Sequence, residues 1–118
     1  MLTTGGTTTV SGNVTLSDKL WDNTGTLNLT GGRITLGGSG TVATTLTNKS
    51  GATLTETSSD TFPITYSTTQ TNKSFVNIGT FNKDTGATTT QQTDVAITNS
   101  GAFNVNTGTL RMSNGSTD

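Results

Sequence analysis

A short pattern, Asn-x-Gly-x-apolar-x-apolar, recurs along the chain and restricts its fold more than any other feature. It occurs at Asn23-Thr-Gly-Thr-Leu-Asn-Leu29 and Asn99-Ser-Gly-Ala-Phe-Asn-Val105, more loosely from Asn77, and one residue longer from Asn48. A unit that returns every roughly 22 to 29 residues is typical of a solenoid, in which each coil buries its apolar side only against its neighbours. The pattern therefore predicts a repeat protein.

The composition favours strands and turns. Leu, Ile, Val and Phe make up only about a fifth of the 118 residues, so apolar content is low for an ordinary globular core. Disorder is disfavoured as well, because the net charge is -1 and only 11% of the residues are charged. Thr suits strands that face water, and Gly and Asn supply tight turns. The absence of Cys and His excludes disulfides and thiolate or imidazole metal sites.

Apolar residues alternate with polar ones wherever they occur, as in Leu27-Asn-Leu29. A period of two places them on one side of a strand, facing an interior of Leu, Ile, Val and Phe, with Thr, Asn and Lys outside. Clusters such as Thr30-Gly31-Gly32 fit either a hairpin or the corner of a coil. A hairpin pairs sequence neighbours antiparallel, whereas a β-helix pairs each strand in parallel with its counterpart one coil later. The similar segments headed by asparagine favour the β-helix.

The recurring asparagines have two interpretations of equal weight. Stacked coils would bring the amides of Asn23, Asn48, Asn77 and Asn99 into a ladder in which each satisfies the next. Alternatively, each asparagine serves only the chemistry of its own turn.

We expect one β-solenoid domain over residues 1–118, or a segment of a longer one. A partial opening coil runs through Asp22, and further coils begin near residues 23, 48, 77 and 99. The coil 48–76 is the longest and departs most from the repeat. Pro63 lies inside an alternating run there, where its missing amide donor would break a ladder bond. A bulge or a projecting loop is predicted at this point.

Two segments, Asn23-Thr-Gly-Thr-Leu-Asn-Leu-Thr-Gly-Gly-Arg-Ile-Thr-Leu36 and Ile97-Thr-Asn-Ser-Gly-Ala-Phe-Asn-Val-Asn-Thr-Gly-Thr-Leu110, resemble the repeats of bacterial surface proteins of the filamentous-haemagglutinin and autotransporter-passenger kind. The resemblance implies a right-handed parallel β-helix, export to the cell surface, and a role as an adhesive or spacing stalk. It implies no catalytic residue. The fold we predict is all-β, a right-handed parallel β-helix of about four to five short coils, with an antiparallel β-sandwich as the alternative.

The favoured function is a non-catalytic structural or adhesive element of an extracellular surface fibre or stalk. Its expected partners are further copies or neighbouring repeats stacked end to end, and host or matrix glycans. We expect no cofactor and no metal. The six basic residues are spread singly, so we expect no nucleic-acid partner. The sequence contains no run of about 20 apolar residues, so we expect no membrane insertion.

A glycan-binding or glycan-processing β-helix module is the alternative function. Its ligand site would use Trp21 or Tyr66 as a stacking platform, with the carboxylates of Glu56 and Asp60 nearby. Trp21 is also the kind of residue that fills a core. Two carboxylates on a presumed loop are a weak basis for glycoside chemistry, so we expect no enzyme.

Two kinds of surface feature follow from the abundance of Asn and Thr. Candidate N-glycosylation sequons begin at Asn13, Asn28, Asn48, Asn72 and Asn114. Pairs of threonine at two-residue spacing occur at Thr24/Thr26, Thr53/Thr55/Thr57, Thr88/Thr90 and Thr107/Thr109. Regular rows of such pairs on a flat β-helix face can order water and bind ice. Because the pairs fall at different places within the predicted coils, we expect the rows not to align.

Overall fold

A computed structural model describes residues 1–84 and 89–114, together with the backbone of residues 116 and 117. Within these residues the chain forms strands and turns, and no helix there is long and apolar enough to cross a membrane. The strands are β1 (Leu2–Thr4), β2 (Thr7–Val10), β3 (Val14–Ser17), β4 (Leu20–Asn23), β5 (Thr26–Leu29), β6 (Ile34–Gly37), β7 (Thr44–Asn48), β8 (Thr53–Glu56), β9 (Ile64–Tyr66), β10 (Lys73–Asn77), β11 (Thr80–Lys83), β12 (Thr90–Thr93), β13 (Ala96–Asn99), β14 (Ala102–Val105), β15 (Thr109–Met112) and β16 (Ser116–Thr117).

The strands pair in parallel between coils. The first sheet has the order β1-β4-β7-β10-β13-β16, and the second has the order β14-β11-β8-β5-β2. The third side of the column is divided into β3-β6-β9 and β12-β15. Three consecutive strands make one coil, and each strand lies against its counterpart one coil away. The fold is therefore a short parallel β-helix, and the antiparallel sandwich is wrong. The right-handedness of the coil stays a prediction.

The interior is built from columns of residues that repeat from coil to coil. In the first sheet Trp21 pairs with Leu46, which pairs with Phe75. In the second sheet Leu27 pairs with Leu54, and both are fully buried. Burying a side chain of this size stabilises the fold by about 1.5 to 3 kcal/mol, and here the cover comes from the next coil. Few apolar residues suffice because each one is shared along the axis.

Aromatic rings continue these columns in the later coils. The ring of Phe81 stacks on that of Phe103 with centroids 4.5 Å apart, and it meets Phe75 edge to face at 5.7 Å. Phe103 is only partly buried because it belongs to β14, which has a neighbour on one side in the described part of the chain. Val105 of the same strand is 41% exposed for the same reason.

The asparagines end the strands of the first sheet. β4 ends at Asn23, β7 at Asn48, β10 at Asn77 and β13 at Asn99, so each coil begins about one strand earlier than the sequence predicts. The opening segment is also more complete than expected. It contains β1, β2 and β3, which together make a whole coil rather than a partial one.

The glycine of the motif is required by close contact between coils. A Cβ atom built at Gly79 would clash with the carbonyl oxygens of Ala52 and Lys49 in the preceding coil. The same holds for Gly25 over Gly6 and for Gly101 over Gly79. At these corners the backbones of successive coils touch directly, and a side chain has no room.

The longer version of the motif leaves the strands in register. Between the paired positions Asn23/Asn48 and Thr26/Thr53 this version has two more residues, not the one counted from the sequence. A turn takes them up, in which the amide of Ala52 donates to the carbonyl of Lys49 at 3.0 Å. Gly51 supplies the positive φ of 81° that this turn needs. The following strand β8 still pairs residue by residue with β5.

The segment around Pro63 is irregular, but it does not project. Residues 57–63 form no strand, and Pro63 directly precedes β9, which agrees with the predicted loop. Ser58 and Pro63 are nevertheless buried. The carbonyl of Pro63 accepts a hydrogen bond from the amide of Ile34 at 2.8 Å. The loop therefore closes the third side of the column instead of extending from it.

The corner glycines provide a test of coil stacking. We expect Gly79→Ala to lower the free energy of unfolding by at least about 2 kcal/mol, because the added methyl group overlaps backbone atoms that cannot rotate away. Gly12→Ala is the matched control, since a Cβ at Gly12 meets nothing within 4 Å. Urea denaturation followed by circular dichroism measures both. Equal stability of the two variants would contradict the close approach.

Candidate functional site

Four asparagines, three of them fully buried, form a continuous hydrogen-bonded row through the column. The Nδ2 of Asn23 donates to Oδ1 of Asn48 at 2.8 Å, Asn48 donates to Asn77 at 2.8 Å, and Asn77 donates to Asn99 at 2.7 Å. The partners are 25, 29 and 22 residues apart in sequence. Asn23, Asn48 and Asn77 are fully buried. We call this row the asparagine ladder.

Each rung of the asparagine ladder also connects the first sheet to the second. The Nδ2 of Asn48 lies 2.9 Å from the carbonyl oxygen of Thr80, and that of Asn77 lies 2.8 Å from the carbonyl oxygen of Ala102. These carbonyls belong to the first residues of β11 and β14 in the next coil. One amide therefore fixes both the spacing between coils and the corner between two sheets.

The turn interpretation of these residues also applies. The amide of Gly25 donates to Oδ1 of Asn23 at 3.3 Å, and Nδ2 of Asn23 lies 3.1 Å from the carbonyl of the same glycine. Such contacts two residues onward are the turn chemistry expected of asparagine. The two interpretations are compatible, because the side chain serves its own corner and the next coil at once.

Trp21 and Thr4 complete the ladder at its first coil. Thr4 occupies the position equivalent to asparagine, pairs with Asn23, and donates its hydroxyl to Oδ1 of Asn23 at 3.4 Å. The indole Nε1 of Trp21 donates to the Thr4 hydroxyl at 3.0 Å. Trp21 is only 3% exposed. It fills the core and orients the first rung.

The ligand site predicted from the sequence does not form on the surface. Trp21 is buried and Glu56 is fully buried, so neither is available to a sugar. Tyr66 is partly buried and packs against the core. Asp60 is bound to Arg33 rather than presented to solvent. Glu56 lies inside the column because it continues the inward alternation of Leu54.

Glu56 instead belongs to a buried polar cluster. Its register partner is Lys83 of β11, and both side chains are fully buried. Oε1 of Glu56 accepts hydrogen bonds from the amide of Ser58 at 2.7 Å and from Nε2 of Gln91 at 3.1 Å. In the described part of the chain, Oε2 of Glu56 and Oε1 of Gln91 have no hydrogen-bond partner. Lys83 was expected outside, and its burial opposite a carboxylate corrects that expectation.

The same cluster holds the irregular loop in place. Nε2 of Gln91 lies 2.8 Å from the carbonyl oxygens of both Ser58 and Asp60. The hydroxyl of Ser58 donates to the carbonyl of Gly32 at 2.6 Å. These contacts satisfy backbone groups that no strand pairs. The cluster acts as a structural substitute for sheet hydrogen bonds on the third side.

An ion pair joins this loop to the preceding coil. Nε and one terminal nitrogen of Arg33 each lie 2.9 Å from a different carboxylate oxygen of Asp60. Such two-point pairing is the strongest geometry for arginine and carboxylate. Asp60 also accepts from the amide of Phe62 at 2.9 Å. No local pattern reveals this pair, because its members are 27 residues apart on different coils.

The pKa values of Glu56 and Asp60 are shifted in opposite directions. Burial raises the pKa of Glu56 above its usual 4.5, although the hydrogen bonds from Gln91 and Ser58 and the charge of Lys83 favour the ionised form. Burial also opposes ionisation of Asp60, but the hydrogen bonds from Arg33 and Phe62 and the charge of Arg33 outweigh it and lower its pKa.

The candidate glycosylation sites differ in accessibility. Asn48 is fully buried in the asparagine ladder, so a glycan there is incompatible with the folded coil. Asn72 has a positive φ of 56° and donates its side-chain amide to the carbonyl of Gly40. Asn13, Asn28 and Asn114 lie at or near the surface. Among the described residues, no group of three or more acidic, histidine or cysteine side chains could hold a metal ion.

Breaking the asparagine ladder is expected to destabilise the column. Asn48→Ala should lower the free energy of unfolding by at least about 2 kcal/mol, because it leaves the buried Oδ1 of Asn77 without its donor and removes the side-chain bond to the carbonyl of Thr80. Asn104→Ala is the matched control. It removes an exposed asparagine bond of 2.9 Å to Asn82 and should change stability by less than about 0.5 kcal/mol. Urea denaturation measures the free energy of unfolding of both variants. Equal losses would show that the buried amide bonds stabilise the column no more than an exposed one.

Glu56 should make stability fall as pH rises. Because its pKa is higher in the folded chain, the folded state holds the proton more tightly, and stability is lost from about pH 4.5 upward through the folded pKa. The depressed pKa of Asp60 acts below its usual 3.8, outside this range. The chain has no histidine to add a slope of its own.

The measurement is the free energy of unfolding in urea between pH 4.5 and pH 8. Glu56→Gln should remove the decline, whereas Asp22→Asn, at a partly exposed ion pair with Lys49, should retain it. The two variants are compared by how their free energy of unfolding changes with pH, not by its absolute value. Loss of the Glu56 charge also alters the surroundings of Lys83 and can change the absolute stability. A wild-type stability that rises across this range would contradict the assignment.

Comparisons with protein-family models, with curated proteins and with solved structures found no match to this chain.

Proposed function

We propose that this chain is a non-catalytic structural or adhesive element of an extracellular surface fibre or stalk. In this proposal the column continues end to end, through further copies or neighbouring repeats. The observation that supports it is the constant parallel register of the first two sheets. In the described part of the chain, β2 and β14 at the two ends of the second sheet each have a neighbour on one side only.

The last coil presents backbone groups suited to one more coil. The amides of Ala102 and Asn106 donate back into the column, to the carbonyls of Gly79 and Lys83 at 2.9 Å. In a parallel pair successive residues bond alternately to the two sides of a strand. The amides of Phe103 and Val105 therefore point out of the end of the column. A following coil would pair with them and cover their apolar side chains.

The two ends of the column are different surfaces. One end carries β14, and the other carries β2 with exposed Leu2 nearby in β1. Contact between unlike surfaces repeats without closing and therefore produces a filament. Unpaired strand edges are generally templates for further strands. This gives end-to-end assembly a physical basis in the strands themselves.

The alternative glycan module receives less support. Its aromatic platform and one of its carboxylates lie in the interior, as Trp21 and Glu56 are buried. The polar cluster around Glu56 is engaged in holding a loop. Adhesion through the exposed outer faces of the column is therefore better supported than a glycan site built on Trp21 and Glu56.

End-to-end assembly is tested by blocking one edge. We expect the wild-type chain to form filaments as its concentration rises, seen by electron microscopy and as growing mass in sedimentation velocity. Val105→Pro removes an amide that points outward and should suppress filaments. Val105→Thr retains the amide and is the matched control. Circular dichroism melts verify that both variants stay folded.

Two results would contradict this proposal. A wild-type chain that stays monomeric at every concentration has no end-to-end affinity of its own. Filaments that form equally well in folded Val105→Pro would show that this edge is not the contact.

A further inference from the structure

The outer side of the second sheet carries two aligned rows of small residues, all of them polar except Ala102. They are the outward residues of β2, β5, β8, β11 and β14, which alternate with the buried ones. We call this surface the threonine face. Its first row is Thr7, Thr26, Thr53, Thr80 and Ala102. Its second row is Thr9, Asn28, Thr55, Asn82 and Asn104.

This alignment corrects, for Thr26 and Thr53, the expectation that the threonine pairs would not form rows. Thr26 pairs with Thr53, which pairs with Thr80, although the coils differ in length. The extra residues are absorbed in the corner turn at Gly51, before β8 begins. Thr90 and Thr109 pair with each other on the third side of the column, and Thr88 lies outside the described residues.

The hydroxyls of the first row are available to water. In the described part of the chain, none of these threonine hydroxyls has a hydrogen-bond partner. Some threonines on the other sides are engaged, since Thr45 bonds to Ser74 at 3.2 Å and Thr65 donates to Asp94 at 2.7 Å. The second sheet differs in that its free hydroxyls form a continuous row. The second row is ordered in part by the bond of 2.9 Å between Asn104 and Asn82.

No charged and no aromatic side chain lies among the outward residues of the threonine face. The acid and base on its strands, Glu56 and Lys83, both point inward. The ion pair of Asp22 and Lys49 lies at the end of first-sheet strands, and Arg33 and Asp60 lie on the third side. Asp84 follows β11 and lies beyond the two rows, where Asn106 donates to its carboxylate at 2.6 Å. The two rows themselves carry no charge and consist only of short side chains.

The geometry favours a neutral ligand with a repeating lattice. Parallel strands lie about 4.8 Å apart, and residues two apart along a strand are separated by about 6.6 Å. The face thus presents methyl, hydroxyl and amide groups in a two-dimensional array. Many weak contacts act together when the ligand repeats with a similar period. Crystalline polysaccharides also repeat, but proteins hold sugar rings mainly by aromatic stacking, which this face lacks.

We propose that the threonine face binds ice, through water molecules that its threonine and asparagine rows hold in lattice-like positions. Ice is a neutral lattice of hydrogen-bonding groups, and the unengaged hydroxyls match that chemistry. The methyl groups limit the number of ways in which surface water can be arranged. This inference does not depend on end-to-end assembly, because the face is complete on a single chain.

The test measures thermal hysteresis and the shape of ice crystals in solutions of the purified chain. The wild type should lower the freezing point below the melting point and produce faceted crystals. Thr53→Lys places a long charged side chain in the middle of the face and should abolish most of this activity. Thr47→Lys is the matched control. It changes the same coil at an outward position of the first sheet, between Asp22 and Val76, and should leave the activity unchanged.

Circular dichroism confirms that both lysine variants are folded, and Thr53→Ser gives a milder change that retains the hydroxyl. A wild-type chain without hysteresis or crystal shaping would overturn the inference. Equal loss in Thr47→Lys and Thr53→Lys would also overturn it, since the activity would not belong to this face. Sedimentation showing a wild-type dimer that Thr53→Lys dissociates would assign the face to a second copy instead of ice. Filament formation by the same variants is scored separately, so the two proposals fail independently.

Discussion

The asparagine ladder is the interaction on which the remaining structure depends. A buried primary amide both donates and accepts, and in the interior of this column its partner is another amide at the same height in the next coil. A slip of one residue would turn Asn48 outward and bring a neighbouring threonine inward, leaving the buried Oδ1 of Asn77 without its donor. The ladder thus fixes the register of the first sheet, and the corner it closes transmits that register to the second.

Once the register is fixed, each residue lies beside the residue at the equivalent position of the next coil. Apolar positions become columns, so Leu27 and Leu54 cover each other completely. The same rule brings Glu56 opposite Lys83 within the core. Such a buried pair is weak evidence of stabilisation, because desolvation opposes the attraction between the charges. Its observable role is local, since the carboxylate accepts from the amide of Ser58 and from Gln91 and thereby fixes a loop.

Alternation and the asparagine motif were sufficient to predict strands, parallel coils and a small shared core. They did not place Glu56 and Lys83, because charge suggested the surface although both continue the inward period of Leu54 and Phe81. No sequence pattern within a single coil predicts the ion pair of Arg33 and Asp60, because the two residues belong to adjacent coils and are 27 residues apart. The threonine rows were missed for a related reason. Coil length varies along the chain, and only the structure shows that the variation is confined to corners and loops.

The location of this irregularity explains why regular surfaces survive on so short a column. The first two sheets run through the described coils without interruption, whereas the third side is broken between β9 and β12. The long loop after Glu56 and the ion pair of Arg33 and Asp60 both lie on that side. Insertions there change the length of a coil without moving the strands of the other two sides. A surface whose function requires a constant period is therefore expected on the first or second sheet, and of these only the second is free of charge.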